Sequence, residues 1–433
     1  MRNFLINVGL DFFRPDTKNY YSELKKSEYA SQDYLQHIHL IKLNNLVEHF
    51  CKIYPFYKEL INKKTDFHSL SELDSLPVLT KQIISNNIDS ISKFAGSSLI
   101  DSTSGSTGTN FTFYQSRESR CARSASINYV YEHIGVDYYN DRKVIIWGHS
   151  PGNWKKRIMQ NFQRLLLNTK ILDGYGIDDQ ICVKYLSFLN HWKPVLLQGY
   201  PHLVYQLSRA GLKYNILPPK IKKIILSGEQ TFEHQKNLIE KYFNCDVFDR
   251  YGSREFSCIA HQCLEKSDLH VLPLRFIVEE SHDGELLITD LDNMSTPFIR
   301  YKIGDGGKVN WKKCKCGRNT QVISNLQGRF NDVIFTPSGK ILPSQFWTVL
   351  SRSSHIKGIR EMQIVQDSIS HVEMRIVSDS DFSHDTKASI IKAVKQLVGD
   401  ELSVSISNVA HIDHTSAGKR KFIINNVKEL HFE

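Results

Sequence analysis

The chain has 433 residues, 41% of them hydrophobic, enough to bury a large core and to fill two or three domains rather than one. Its 55 Lys and Arg against 46 Asp and Glu give a net charge of +9, but the basic residues are scattered in short groups such as Lys312-Lys313 and Lys419-Arg420-Lys421. A nucleic-acid stripe would be more concentrated, so the charge argues against such a partner. The start, Met1 to Phe13, lacks the long apolar run and small-residue cleavage site of a secretory leader, and no later stretch is apolar over the thickness of a bilayer. The sequence therefore predicts no membrane span and a cytoplasmic location.

From about Tyr20 to Ala95 the pattern is helical, with apolar residues three and four apart in Tyr34–Tyr54 and a Leu76-Pro77 break. Beyond it, β-branched runs alternate with amphipathic stretches: Val144–Trp147, then Val195–Leu197 before a helix after Pro201, then Ile224–Leu226 before Thr231–Phe243. That alternation implies parallel strands with helices on both faces. Asp283-Gly284 introduces a strand over Glu285–Thr289, and the segment to Val309 reads as β-rich. After Gly328–Asp332 the character changes to alternating strands with one amphipathic helix, Asp385–Val398. The expected organisation is an α/β fold: a helical lead-in over 1–95, the core of a large domain with a β-rich portion over 96–328, and a small mobile α+β domain over 329–433.

The segment Thr103-Ser104-Gly105-Ser106-Thr107-Gly108-Thr109 sets two glycines among Ser and Thr hydroxyls. Glycine lets the backbone approach closely, so amide N–H groups can converge on phosphate oxygens while hydroxyls add hydrogen bonds without a fixed charge. No Lys follows the second glycine, so this is not the Lys-bearing Walker loop.

This loop and the segments that follow it in order resemble the signature motifs of the adenylate-forming superfamily of acyl-CoA synthetases and adenylation domains. The others are Ser227-Gly228-Glu229, Tyr251-Gly252-Ser253-Arg254-Glu255, Arg300-Tyr301-Lys302-Ile303-Gly304-Asp305, Gly328–Asp332 and Ser416-Ala417-Gly418-Lys419. Pro77-Val78-Leu79-Thr80-Lys81, Gly199-Tyr200-Pro201, Pro343-Ser344-Gln345 and Cys314–Arg318 are similar to the phenylacetate-CoA ligase and capsular-biosynthesis CapK-like branch. The resemblance implies that the 103–109 loop and Ser227–Glu229 hold ATP, that Tyr251 and Gly252 lie by adenine, and that Asp305 binds the ribose hydroxyls. It also implies that Glu255 holds Mg²⁺, that Lys419 is the catalytic lysine, and that Arg329 and Asp332 lie at the hinge, Arg329 reaching the nucleotide. The chain departs from the common pattern at Asn110, where many members have Pro, and at Arg254, where Thr is frequent.

Cys258, Cys263, Cys314 and Cys316 fall in two groups, whereas Cys51, Cys121, Cys182 and Cys245 are isolated and read as buried small hydrophobes. Cys263, His270, Cys314 and Cys316 supply three thiolates and an imidazole, enough for a closed structural zinc site, with Cys258 and His261 as competing ligands. Trp147, His149, Tyr200 and Pro201 lie at or just beyond the ends of predicted strands, where α/β proteins bind ligands, and are candidate walls of an acid pocket; core packing is the alternative for Trp147 and Tyr200.

The resulting expectation is an ATP-dependent ligase that turns a small or aryl carboxylic acid into an acyl-adenylate with release of pyrophosphate. The acyl group would pass to coenzyme A or to the phosphopantetheine of an acyl carrier protein. Transfer to an amine or hydroxyl of a sugar in surface-polysaccharide assembly is the alternative; a non-catalytic nucleotide-binding protein is the second, and the retained Glu255, Asp305 and Lys419 argue against it.

Overall fold

The computed structural model describes residues 15–61, 66–104, 110–148, 161, 164–175, 177–329, 334–336, 339–341, 358–378, 382–398, 402–413 and 422–427. The lead-in comprises α1 (Thr17–Ser27), α2 (Gln32–Ile53), α3 (Pro55–Leu60), α4 (Lys81–Asn86) and α5 (Ile88–Phe94). Helix α2 starts where Ser31 Oγ accepts from Tyr34 N–H at 3.2 Å, a side-chain cap that satisfies an otherwise orphaned donor. Its Leu35, Leu43, Leu46, Val47 and Phe50 recur at helical spacing and are all buried. Each such side chain contributes roughly 1.5–3 kcal/mol by leaving water.

The strands β1 (Leu99–Ser104) and β2 (Asn110–Gln115) form an antiparallel pair flanking the Ser/Thr/Gly loop, and α6 (Arg117–His133) follows. Then come β3 (Lys143–Trp147), β4 (Thr169–Asp173), α7 (Asp179–Trp192), β5 (Leu196–Gly199), α8 (Pro201–Lys213), β6 (Lys223–Ser227), α9 (Glu233–Phe243) and β7 (Asp246–Tyr251). Strands β4, β3, β5, β6 and β7 lie parallel in that spatial order. Alternate residues feed opposite faces: Leu197, Ile224, Leu226 and Val247 pack under α7–α9, whereas Leu196, Ile225 and Phe248 face the core shared with α6. The helix expected from Thr231 begins at Glu233, because Phe232 is still extended.

The sheet continues through β8 (Ala260–His261), β9 (Leu269–Val271), β10 (Phe276–Glu280), β11 (Glu285–Asp290), β12 (Tyr301–Lys313) and β13 (Asn319–Arg329) to eleven strands, its second part antiparallel. A short pair, β14 (Ile334–Thr336) and β15 (Gly339–Ile341), precedes β16 (Ile359–Ser368), β17 (His371–Ser378), α10 (His384–Val398), β18 (Ser403–Asn408) and β19 (Ile423–Asn425). The last four strands form their own sheet, order β18-β17-β16-β19, over a separate core that includes Ile364, Met374, Ile376, Ile390 and Val394. The fold is thus mixed α/β, with a large N-terminal domain and a smaller C-terminal one.

The helical lead-in is not an appendage. Leu43, Phe50, Tyr57, Leu79 and Ile91 belong to the same core as Phe111, Phe113, Phe256, Phe298 and Tyr301. Two of the cysteines read as buried, Cys51 and Cys245, are only partly so, because each sits at the margin of its cluster. Among the described residues no helix is long and apolar enough to cross a membrane.

Candidate active site

The turn after β6 carries Ser227, Gly228 and Glu229, and the turn after the adjacent β7 carries Tyr251 to Glu255. Ser227 stands opposite Arg250 in the parallel ladder, so the two turns are neighbours at the carboxyl end of the sheet, where α/β proteins bind ligands. Arg250 ties them further, donating to Ser227 Oγ at 3.4 Å and to Gln198 Oε1 at 3.4 Å. The Tyr251 turn needs glycine next: a Cβ on Gly252 would lie 1.7 Å from the Ser257 carbonyl oxygen.

Asp305 reaches the same place from the antiparallel part of the sheet. The Tyr251 hydroxyl donates to its carboxylate at 2.8 Å. Burial first, and the Asp305 charge second, push the Tyr251 phenol well above its ordinary pKa, so it stays a donor over the physiological range. A carboxylate can accept from several donors at once, which is what binding a ribose diol requires.

The β1–β2 pair joins from a third direction. Asp101 on β1 receives Arg254 Nε at 3.0 Å and Gln115 Nε2 at 3.1 Å, and Arg123 on α6 donates to the backbone carbonyls of Arg254 and Glu255 at 2.9 and 3.1 Å. These bonds fasten the stems of the Ser/Thr/Gly loop to the Tyr251–Glu255 turn. Glu255 itself is buried, and Lys81 Nζ lies 3.9 Å from its Oε1. Such a carboxylate, with a hard oxygen donor set and one loosely placed cation, fits a Mg²⁺ ligand.

Beside this cluster, Gly228 has φ +86°, and its Cα packs so closely that a Cβ would lie 2.8 Å from the Tyr200 ring and 3.1 Å from Trp147. Those two rings lie 4.2 Å apart, centroid to centroid. Tyr200 is buried in the cluster under α7–α9, the core packing that the sequence left as the alternative, and Pro201 opens α8 just behind it. His202 Nδ1 and Glu229 Oε2 are 2.6 Å apart, which fixes the side chain of the Ser227–Glu229 turn.

Thr103 lies on β1, and Ser104 ends that strand, whereas Gly105, Ser106, Thr107, Gly108 and Thr109 lie outside the described residues, as do His149, Asp332 and Lys419. Arg329 ends β13, where its backbone stands opposite Asp305 in the ladder. Asp101, Gln115, Arg123 and Lys81 were not singled out from the sequence as site residues. Lys81 carried a signal as the last residue of Pro77–Lys81, and Asp101 as the residue that opens the Ser/Thr/Gly segment over 101–109.

A second constellation lies on the antiparallel part of the sheet. The ligand atoms of Cys263, His270, Cys314 and Cys316 are all within 4.8 Å of one another. The Cys263 and Cys314 sulfurs are 3.8 Å apart, and Cys316 Sγ is 3.6 Å from His270 Nε2. A tetrahedral zinc ion, with bonds of about 2.3 Å to sulfur and about 2.05 Å to nitrogen, sets these edges at about 3.8 and about 3.5 Å. His270 Nδ1 is 3.0 Å from Thr320 Oγ1, which leaves Nε2 as the ligand. Burial, then the Arg318 guanidinium, lower the His270 pKa to about 4, so the ring is neutral as ligation requires. The competing ligands lie outside this group: Cys258 Sγ is directed to the Ala260 carbonyl at 3.7 Å, and neither Cys258 nor His261 shares the cluster of ligand atoms.

Comparison with known proteins extends these observations. The CapK C-terminal domain family matches residues 334–426. Protein CapK of Staphylococcus aureus is 28% identical across 99% of this chain and 97% of its own length. The phenylacetate-coenzyme A ligase of Escherichia coli (strain K12) is 22% identical across 94% of this chain and 98% of its own. Among solved structures, 2-hydroxyisobutyryl-CoA ligase in the postadenylation state in complex with R3-HIB-AMP superposes with a TM-score of 0.76 at 16% identity, covering 93% of this chain and 92% of that one.

Proposed function

Because this chain is CapK-like over its full length, a homologue of phenylacetate-CoA ligase and built on the fold of the adenylate-forming ligases, we propose that it activates a small or aryl carboxylic acid with ATP. The acyl group then passes to a thiol, that of coenzyme A or of a carrier-protein phosphopantetheine. The observation that carries this reading is the meeting of three separate stretches of chain at the Tyr251–Glu255 turn: Asp305 through Tyr251, Asp101 through Arg254, and Ser227 through the β6–β7 ladder.

In the first step an oxygen of the acid bonds to the α-phosphorus of ATP, and the bond from that phosphorus to the bridging oxygen breaks, releasing pyrophosphate. Two anions must approach, so the protein supplies position and positive charge more than covalent help. Asp305 holds the ribose hydroxyls, Tyr251 lies by the adenine, and the 103–109 loop wraps the phosphates. Glu255 would hold Mg²⁺, which supplies neutralisation of phosphate charge. Trp147 and Tyr200, with Gly228 against them, wall the acid. Lys419 brings the cation to the reacting oxygens from the small domain over 329–433, with Arg329 and Asp332 at the hinge. The Cys263, His270, Cys314 and Cys316 set would hold zinc in a closed site whose role is structural.

Acid-dependent ATP–pyrophosphate exchange over a panel of aryl and short aliphatic acids tests the proposal, with Lys419→Ala as control. Exchange with at least one acid, and its loss in a folded Lys419→Ala protein, is the expected result. Nucleotide binding with no exchange for any acid would sink it. Supplying coenzyme A or an amino sugar to the active protein then distinguishes a thiol acceptor from an amine or hydroxyl one.

A further inference from the structure

Pro77–Lys81 has a place in the fold that its sequence alone does not explain. Leu79 bridges to Tyr301: its N–H donates to the Arg300 carbonyl at 3.1 Å, and its own carbonyl accepts from Lys302 N–H at 2.8 Å. The Arg300 guanidinium clamps the same segment, donating to the Leu76 carbonyl at 2.7 Å and to Asp74 at 2.9 Å, with Glu279 at 3.1 Å on its other side. The strand that carries Asp305 therefore also fixes the residue two positions before Lys81. Thr80 then caps α4, accepting from Ile83 N–H at 3.3 Å, and Lys81 leaves the first turn toward Glu255.

The Lys81 ammonium lies 3.9 Å from Glu255 Oε1 and 5.9 Å from the ring of Phe111, two residues past the end of the Ser/Thr/Gly loop. Its side chain is 42% exposed, while that of Glu255 is 5% exposed. Among the described residues Lys81 makes no hydrogen bond, whereas Arg254 is held by Asp101 and Arg123 by two backbone carbonyls. The loop itself brings no fixed positive charge, since Asn110 follows Thr109. A triphosphate has more negative charge than one divalent cation neutralises, and a partly exposed ammonium between Glu255 and Phe111 is suited to the remainder.

We propose that Lys81 is a phosphate-binding residue of this site, contributed by the helical lead-in, that contacts the β- and γ-phosphates of ATP and the pyrophosphate leaving group. The assignment rests on the adenylation reading. It places on α4 the charge that the loop lacks, and it makes the lead-in part of the binding machinery.

The test compares wild type, Lys81→Gln and Lys81→Arg, all full length, by calorimetric titration with MgATP, with inorganic pyrophosphate and with AMP. A charged contact of this kind predicts that Lys81→Gln weakens ATP and pyrophosphate binding by about 10- to 100-fold. AMP, which lacks the outer phosphates, stays within about twofold, and Lys81→Arg recovers most of the loss. In exchange assays the KM for pyrophosphate rises while the KM for the acid does not. Equal weakening of AMP and ATP, or no weakening of either, overturns the assignment. If wild type itself neither binds ATP nor exchanges pyrophosphate, the adenylation reading fails and takes this one with it; a wild type that does both, matched by Lys81→Gln, condemns the assignment alone.

Discussion

Withdrawing metal from the Cys263, His270, Cys314 and Cys316 set tests the geometry most directly. Two of the ligand–ligand distances, 3.8 Å and 3.6 Å, match those around a tetrahedral zinc ion, so an ion bound there would impose little strain on these ligands and its binding free energy would pass into folding. At free zinc a thousandfold above its Kd the ion adds about 4 kcal/mol. In a chain of this length each kcal/mol moves Tm by about 1–2 °C, so chelation should lower Tm by about 4–8 °C. The local consequence is more specific. Arg318, two residues beyond Cys316, donates to buried Glu28, which also lies 2.8 Å from His133 Nε2, so the Cys314–Arg318 turn secures the end of α1. Elemental analysis should find about one zinc per chain. Both chelation and Cys316→Ser should expose residues 28–31 to limited proteolysis before the sheet unfolds. A protein that carries no zinc when grown with it, or a Cys316→Ser variant with unchanged Tm and unchanged cleavage, would refute the reasoning.

Two further outcomes are expected. Tyr251→Phe removes the donor to Asp305; hydrogen bonds to a charged group are worth about 1.5–3 kcal/mol, so the ATP Kd should rise by about 10- to 100-fold with little change in Tm. Equilibrium dialysis reads this, and an unchanged Kd would separate Asp305 from the nucleotide. His39 is buried on α2, its nitrogens have no hydrogen-bond partner among the described residues, and burial, then Lys42, lower its pKa to about 3. The unfolded chain takes up a proton near the ordinary value of about 6.5 that the native ring refuses, so stability falls as the pH drops from about 6.5 toward 3. In His39→Leu the slope of stability against pH should be shallower by about 1.4 kcal/mol per pH unit over that window, as urea unfolding at stepped pH would show; parallel curves would mean that the ring accepts its proton in the folded state.

Much of the fold was legible because local signals agreed. The runs Val144–Trp147, Val195–Leu197 and Ile224–Leu226 correspond to strands whose alternate residues serve two faces, and the apolar spacing of Tyr34–Tyr54 corresponds to α2. The candidate metal ligands were legible from residue type and clustering, but choosing among six candidates needed the folded positions of Cys258 and His261, which fall outside the clustered group. The supports of the site were not legible. Gln115 and Arg123 are ordinary polar residues in sequence, and the bonds that join them, Asp101 and Arg254 appear only when a hairpin, a helix and a turn, spaced along the chain, are folded against one another.

Arg300 shows why such residues escape a reading of the sequence and still govern the site. It sits at φ +48°, just before β12, in a conformation that non-glycine residues adopt sparingly, so the fold must hold it there. What holds it is the set of acceptors on its guanidinium: Asp74, the Leu76 carbonyl and Glu279. Five residues on, the same strand presents Asp305 to Tyr251; two residues beyond the bridge at Leu79, the docked segment presents Lys81 to Glu255. One buried arginine thus sets the separation between the acid assigned to the ribose and the cation assigned to the outer phosphates. The helical lead-in and the sheet consequently determine a single distance together, and under the proposed assignments a change that loosens the lead-in would reach the phosphate end of the nucleotide before the adenine end.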